Sequence, residues 1–145
     1  MKLRAMVIDD SKVMRTMVME SLKKTGLAEF DFTEAGDGQD ALGKFHPKKI
    51  DIVFADWNMP NMSGVDFVRE VRAMDKTDHI PIVMVTSEKT IAKMEEALDE
   101  AGANAFISKP FTVDYLIQKL GPVFDELEEQ KKGSGGGLFN KLVGG

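Results

Sequence analysis

Apolar residues along this chain gather in five short, dense runs, separated by longer segments where they recur every three or four positions. The short runs cover residues 3–8, 29–34, 50–55, 80–85 and 103–107, and their length and composition predict β-strands. Two of them, IDIVFA and IPIVMV, are apolar on both faces. That is expected of parallel strands covered by helices on each side.

The intervening segments carry helical stripes. Val13, Met14, Met17, Val18 and Leu22 share one face, with Ser11 placed as an N-cap and Gly26 as a stop. Residues 37–45 predict a short second helix, ended before Pro47. Residues 63–74 carry Val65, Phe67, Val68 and Val71, and residues 88–100 carry Ile91, Met94, Ala97 and Leu98 before Gly102. The last stripe runs from Thr112 to about Lys131 through Leu116, Ile117, Leu120, Val123, Phe124 and Leu127. Gly121-Pro122 within it predicts a kink or two shorter helices, because proline lacks a backbone donor. Strands alternating with helices through right-handed crossovers predict an α/β, doubly wound, five-stranded parallel sheet with five helices.

Residues 1–131 therefore read as one domain. Residues 132–137, containing GSGGG, read as a flexible linker. Five such residues have a root-mean-square reach of about 12 Å. The tail at 138–145, LFNKLVGG, places Leu138, Phe139, Leu142 and Val143 on one face of a helix too short to be stable alone. It reads either as a docking segment or as an unstructured terminus.

Composition narrows the classes of function. A chain of 145 residues supports one ordinary core. With no cysteine there is neither a disulfide nor a thiolate metal site, and two histidines are too few for an imidazole zinc site. A net charge of −5 weighs against nucleic acid as a partner. No apolar run approaches the ~18 residues of a membrane helix. The N-terminus turns acidic too early for a signal peptide, so a cytoplasmic protein is expected.

Ligands of an open parallel sheet bind at the carboxyl ends of its strands. There this chain places Asp9 and Asp10, then Asp56, then Thr86 and Ser87, then Ser108, Lys109 and Pro110. Taken singly, an Asp after a strand is usually a turn or cap residue, Thr86 or Ser87 a helix cap, and Lys109 a solvated lysine. Together at one edge they exceed what capping needs. Three carboxylates suit a hard cation bound through oxygen, and so few protein ligands suit Mg²⁺ better than a caged Ca²⁺. A carboxylate nucleophile, a metal and an ammonium suggest phosphoryl transfer to an aspartate.

The segments VIDDS, IVFADWNMPNMSG, IVMVTSE and FISKPF in combination resemble the receiver domains of two-component response regulators. The likeness spans residues 3 to about 127 and, through DWNMPNMSG, is nearest to the single-domain chemotaxis regulators. It implies a flavodoxin-like fold with strand order 2-1-3-4-5 and a stand-alone switch phosphorylated on Asp56. It further implies Mg²⁺ held by Asp9, Asp10, Asp56 and the backbone carbonyl of Asn58. Thr86 would be the switch hydroxyl, Lys109 the partner of the phosphoryl group, and the bond before Pro110 cis. Asn58 and Glu88 would set the phosphate's lifetime, here toward rapid self-dephosphorylation. Phe106 stands at the aromatic switch position, where chemotaxis regulators carry tyrosine, and has no hydroxyl to offer a partner. Trp57 matches the family's fluorescent reporter, although a lone Trp also serves packing.

The same resemblance implies a histidine kinase, a phosphotransfer protein or a small phosphodonor as the source. It places a downstream protein on the face of the fourth helix, fifth strand and fifth helix, through Ile91, Lys93, Glu95, Phe106 and Tyr115. A monomer, with a phosphorylation-dependent dimer as the variant, and a chemotaxis-like role are expected, with neither nucleic acid nor membrane. Two rivals stand beside this reading. GDGQDA at 36–41 fits the dinucleotide fingerprint, with Asp56 at the ribose-binding spacing, but leaves Asp9, Asp10 and Lys109 unexplained. A receiver-shaped interaction module that is never phosphorylated is the other.

Overall fold

A computed structural model of the chain describes the backbone of residues 1–87 and 90–142, and the side chains of residues 1–87 and 90–132. The strands are β1 (Lys2–Ile8), β2 (Glu29–Ala35), β3 (Ile52–Ala55), β4 (Ile82–Thr86) and β5 (Ala105–Ser108). The helices are α1 (Lys12–Lys24), α2 (Gly38–Lys44), α3 (Gly64–Ala73), α4 (Ile91–Glu95, continued as a π-helix over Glu96–Ala101) and α5 (Val113–Leu142). All strand pairs are parallel, in the order β2-β1-β3-β4-β5. The predicted fold class, strand order and helix number agree with this architecture.

The pleat divides the core in two. Leu3, Ala5 and Val7 of β1, Ile52 and Phe54 of β3, and Val83 and Val85 of β4 pack on one face under Val18 and Leu22 of α1 and Leu116, Leu120, Phe124 and Leu127 of α5. Met6, Ile8, Val53, Ala55, Ile82, Met84 and Phe106 face the other way, under Ala41 of α2, Val65, Phe67, Val68 and Val71 of α3, and Ala97 and Ala101 of α4. Successive residues of a strand point to opposite faces, so both faces need apolar residues once helices cover both.

Several boundaries differ from those expected from sequence. β3 starts at Ile52, not Ile50, because Ile50 closes a turn onto His46. β4 starts at Ile82: Pro81 has no N–H for the ladder, and the Ile82 N–H goes first to the Asn104 side chain, at 2.8 Å. α4 begins at Ile91 because Thr90 is its cap, accepting from the Lys93 N–H. Thr86 and Ser87 are therefore not caps of that helix. Ser11 caps α1 as expected, and Asp37 and Ser63 cap α2 and α3.

Of the two outcomes expected at Gly121-Pro122, two shorter helices do not form, since α5 runs through Pro122 as one helix. Gly121 has open space about its Cα, and one lost hydrogen bond is absorbed where Leu116, Leu120, Phe124 and Leu127 anchor the same face. The backbone of α5 also continues through the Gly/Ser run at 133–137, the stretch expected as a linker. Extending a formed helix requires no new nucleus, although each glycine there costs about 1 kcal/mol against alanine. The apolar side chains expected to share a face in the tail lie outside the described residues.

Arg72 fastens the amino edge of the sheet. Its guanidinium donates to the carbonyls of Gly102, Thr77 and Ile80 and to Asn104 Oδ1. Half-buried, it joins the end of α3 to the starts of β4 and β5.

Phe67 is fully buried and meets Phe45 edge-on at 6.3 Å between ring centroids. Phe67→Ala is expected to destabilise the domain by about 3–5 kcal/mol, through lost transfer energy and a cavity. Urea unfolding followed by circular dichroism measures this; a shift below about 1 kcal/mol would mean α3 is not anchored as described.

Candidate functional site

The carboxyl ends of β1, β3, β4 and β5 form one edge, and the side chains there build a small acidic site. β1 ends at Ile8, so Asp9 is the first residue past the sheet. Its N–H donates to the Ala35 carbonyl at 3.1 Å, extending the β1–β2 ladder by one step. Asp9 is 3% exposed, a severe setting for a carboxylate, yet both of its oxygens are engaged. Oδ1 accepts from the Ser11 N–H at 2.9 Å, and Oδ2 accepts from Lys109 Nζ at 2.8 Å. Asp10, next in the chain, is exposed.

Asp56 follows β3, and its N–H donates to the Ile8 carbonyl at 2.9 Å, which holds it beside Asp9. Its Oδ1 accepts from the Trp57 N–H at 2.8 Å, and Lys109 Nζ is 3.5 Å from its Oδ2. Thr86, fully buried at the end of β4, donates its hydroxyl to the same carboxylate. Lys109 follows β5, its N–H on the Thr86 carbonyl at 2.9 Å, and its bond to Pro110 is cis. Asp9, Asp10 and Asp56 each offer an oxygen within 4.8 Å of the others. That donor set fits a hard divalent cation.

Asn58 is exposed two residues beyond Asp56. Phe106 is turned into the core at 6% exposure, between α4 and the sheet. Glu88, expected to act with Asn58, lies outside the described residues. Trp57 is buried at 5% exposure, and Lys93 Nζ lies 4.8 Å from its ring centroid. Packing and a report on α4 are thus compatible roles for one tryptophan.

Burial is the largest influence on Asp56 and pushes its pKa above the usual carboxylate value. Lys109 opposes this, Asp9 adds to it, and hydrogen bonds from Thr86 and Trp57 oppose it in smaller measure. The carboxylate is thus less comfortable than in water and a better nucleophile.

Three contributions were not singled out from sequence. Gly64 brings backbone against backbone: an added Cβ would lie 1.8 Å from the Asp56 carbonyl oxygen. Its N–H donates to the Trp57 carbonyl at 2.9 Å, so the loop after the acceptor folds back on the start of α3. Arg15 of α1 donates to the Asp9 carbonyl at 2.6 Å and to Glu34 Oε1 at 3.0 Å, tying the ends of β1 and β2 together. Lys93, expected from sequence on the partner-binding face alone, also approaches the site through the Trp57 ring. A glycine two residues after a methionine and an arginine on a helix carry no such signal in one sequence. Of the glycines of GDGQDA, Gly38 serves packing, since a Cβ there would collide with Met62, whereas one on Gly36 would come no nearer than 4.0 Å to Arg15. Asp37 between them caps α2 and accepts from Asn61 Nδ2 at 2.8 Å.

Comparison with known proteins agrees with this geometry. A family model described as the response regulator receiver domain matches residues 5–121. The chemotaxis protein CheY of Pseudomonas aeruginosa is 35% identical over 125 residues, covering 86% of this chain and 98% of that protein. The chemotaxis protein CheY-3 of Vibrio cholerae is 36% identical over 127 residues, covering 86% and 94%. Among solved structures, the chemotaxis protein CheY4 of Vibrio cholerae superposes with a TM-score of 0.72 at 32% identity, covering 85% of this chain and 99% of that one.

Two measurements probe the site. Gly64→Ala is expected to shift the Asp56–Trp57 loop, seen as altered Trp57 fluorescence and a lowered melting temperature, since backbone cannot yield as a flexible side chain can. Asp56 has a folded pKa above its unfolded one, so the folded state holds more protons between the two values, and stability falls as pH rises through that window. Asp56→Asn is therefore expected to raise the melting temperature at pH 7, with the advantage shrinking as pH falls below the folded pKa of Asp56. A mutant less stable than wild type at pH 7 would contradict this.

Proposed function

The chain belongs to the response regulator receiver domain family, and on that premise we propose that it is a phosphoacceptor switch whose reacting group is Asp56. The observation that carries this reading is Lys109 bridging Asp9 and Asp56 beside three carboxylates with oxygens within 4.8 Å. Packing has no use for that arrangement, and a helix cap needs only one carboxylate.

In the proposed reaction an Asp56 oxygen attacks the phosphorus of a donor, a histidine kinase, a phosphotransfer protein or a small acyl phosphate. The new oxygen–phosphorus bond forms as the bond to the donor's nitrogen or oxygen breaks. Asp56 Oδ1 is held by the Trp57 N–H, which leaves Oδ2, on the Lys109 side, as the attacking atom. Asp9, Asp10 and Asp56, with the Asn58 carbonyl, would hold Mg²⁺, which when bound supplies positive charge to the transferring oxygens. Lys109 exchanges one carboxylate contact for the phosphoryl group, and the Thr86 hydroxyl donates to a phosphoryl oxygen in place of the carboxylate. By the likeness to receivers, Asn58 and Glu88 would set how readily water later removes the phosphate. The addition places about −1.5 to −2 of charge and strong acceptors at the end of β3.

Output runs through the face of α4, β5 and α5. Phe106 is poised there beneath α4, and Ile91 is 74% exposed on it. A protein that prefers one state of that face senses the phosphate. The chemotaxis relatives make a chemotaxis-like role the first to test. No described helix is long and apolar enough to cross a membrane.

Incubation with acetyl phosphate and Mg²⁺ is expected to add one phosphoryl group by intact mass to wild type and none to Asp56→Asn. Asp10→Ala is expected to keep its circular dichroism spectrum while losing most of the labelling and the Mg²⁺-dependent change in Trp57 fluorescence. Absence of labelling in wild type, with no response to beryllofluoride, would favour an interaction module that is never phosphorylated.

A further inference from the structure

A cavity of about 590 Å³ opens at the opposite end of the sheet, away from the acidic edge. Its walls come from the start of β1, the loop between α2 and β3, the loop between α3 and β4, and α5. Both histidines of the chain, His46 and His79, line it. Leu127, Gln130 and Lys131 form the α5 wall, and all three lie beyond the stretch matched by the family model, residues 5–121.

The polar lining has one prevailing sign. Arg4, Lys48, Lys76 and Lys131 stand against Asp51 and Asp75, four cations to two carboxylates. Asp51 is already engaged: Arg4 holds both of its oxygens, at 3.1 and 3.0 Å, and Lys131 Nζ lies 3.7 Å away. Arg4 also donates to the Lys48 carbonyl at 2.9 Å, so its guanidinium plane is fixed on three sides. His46 accepts the Lys48 N–H at Nδ1, which leaves its Nε2 as the donor. Lys76 is held in the left-handed region at φ 62, uncommon for a residue with a Cβ. Gln130 adds an uncharged amide, and Pro47, Ile50 and Leu127 supply the apolar lining.

A fixed guanidinium and two imidazoles offer flat surfaces for a ring, and the lysines offer charge to an anion. The volume falls within the ~300–1,000 Å³ of small-molecule sites. We infer that this cavity binds a small organic anion carrying a flat ring, of the size and chemistry of a nucleoside monophosphate. The site is independent of phosphorylation at Asp56 and stands whether or not that reaction occurs.

The test uses the full chain, isotope-labelled and free of Mg²⁺, titrated with adenosine monophosphate, adenosine and inorganic phosphate. Saturable amide shifts at Arg4, Lys48, Lys76 and His79 are expected with the nucleotide, and much weaker ones with adenosine or phosphate alone. Lys48→Glu and Lys131→Glu, both at exposed positions, are each expected to weaken binding about tenfold with an unchanged circular dichroism spectrum. Three results would overturn the inference: no saturable shift with the nucleotide, equal binding of adenosine or of phosphate alone, or shifts confined to Asp9, Asp10 and Asp56. Unchanged affinity in both charge-reversal variants would do the same.

Discussion

One ammonium group sets the terms at the acidic edge. Lys109 Nζ lies 2.8 Å from Asp9 Oδ2 and 3.5 Å from Asp56 Oδ2. Two like charges at about 4 Å repel by roughly 4 kcal/mol at the effective dielectric of a protein surface. Three carboxylates in one place, one of them 3% exposed, call for compensating positive charge. One lysine against three acids leaves two negative charges over, the amount that one divalent cation neutralises. The stretch VIDDSK thus supplies two of the three carboxylates of a donor set that fits a divalent cation, and Lys109 offsets part of their charge.

That arrangement depends on strand order. Residues 9, 56, 86 and 109 are far apart in sequence and meet because β1, β3, β4 and β5 are parallel and adjacent. The register fixes the meeting point: Ile8 pairs with Ala55, and Thr86 with Ser108. Asp9, Asp56, Thr86 and Lys109 are then each the last of their strand or the first beyond it. A slip of one residue in any strand would turn a site residue to the other face. The apolar runs on both faces guard against such a slip.

Much of this was legible because period and position speak clearly in α/β chains. Five apolar runs gave five strands, and the residues after each run gave Asp9, Asp56, Thr86 and Lys109. Their grouping at one edge, and the cis bond before Pro110, agree with the resemblance to receivers. What failed were features set by tertiary context. Proline at 122 reads as a kink or a break, yet four core contacts on one face carry α5 past it. Thr90 is not marked as the cap of α4, since Thr86 and Ser87 offer hydroxyls just as near, and only the burial of Thr86 at the site removes it from that role. The close approach at Gly64 depends on where the Asp56 carbonyl lies, which no local pattern encodes. Arg15 and Lys93 act through a backbone carbonyl and a ring face, contacts that leave no spacing rule.

The start of α4 shows how local stability and switching are joined. Ile91–Glu95 buries no residue, unlike the helical stretches of α1, α2 and α3, and Ile91 faces solvent. Its contacts beyond itself include Lys93 over the Trp57 ring and the half-buried Met94 against the core. A cation over an indole contributes about 0.5–2 kcal/mol, less than one buried leucine. An element held this lightly opens at low free energy, as moving elements must. Trp57 is bonded by position to Asp56, whose charge the proposed reaction changes. A modest shift of the Trp57 ring therefore removes one of the few anchors of α4, while the π-helical turn at Glu96–Ala101, with Ala97 and Ala101 buried, stays in the core.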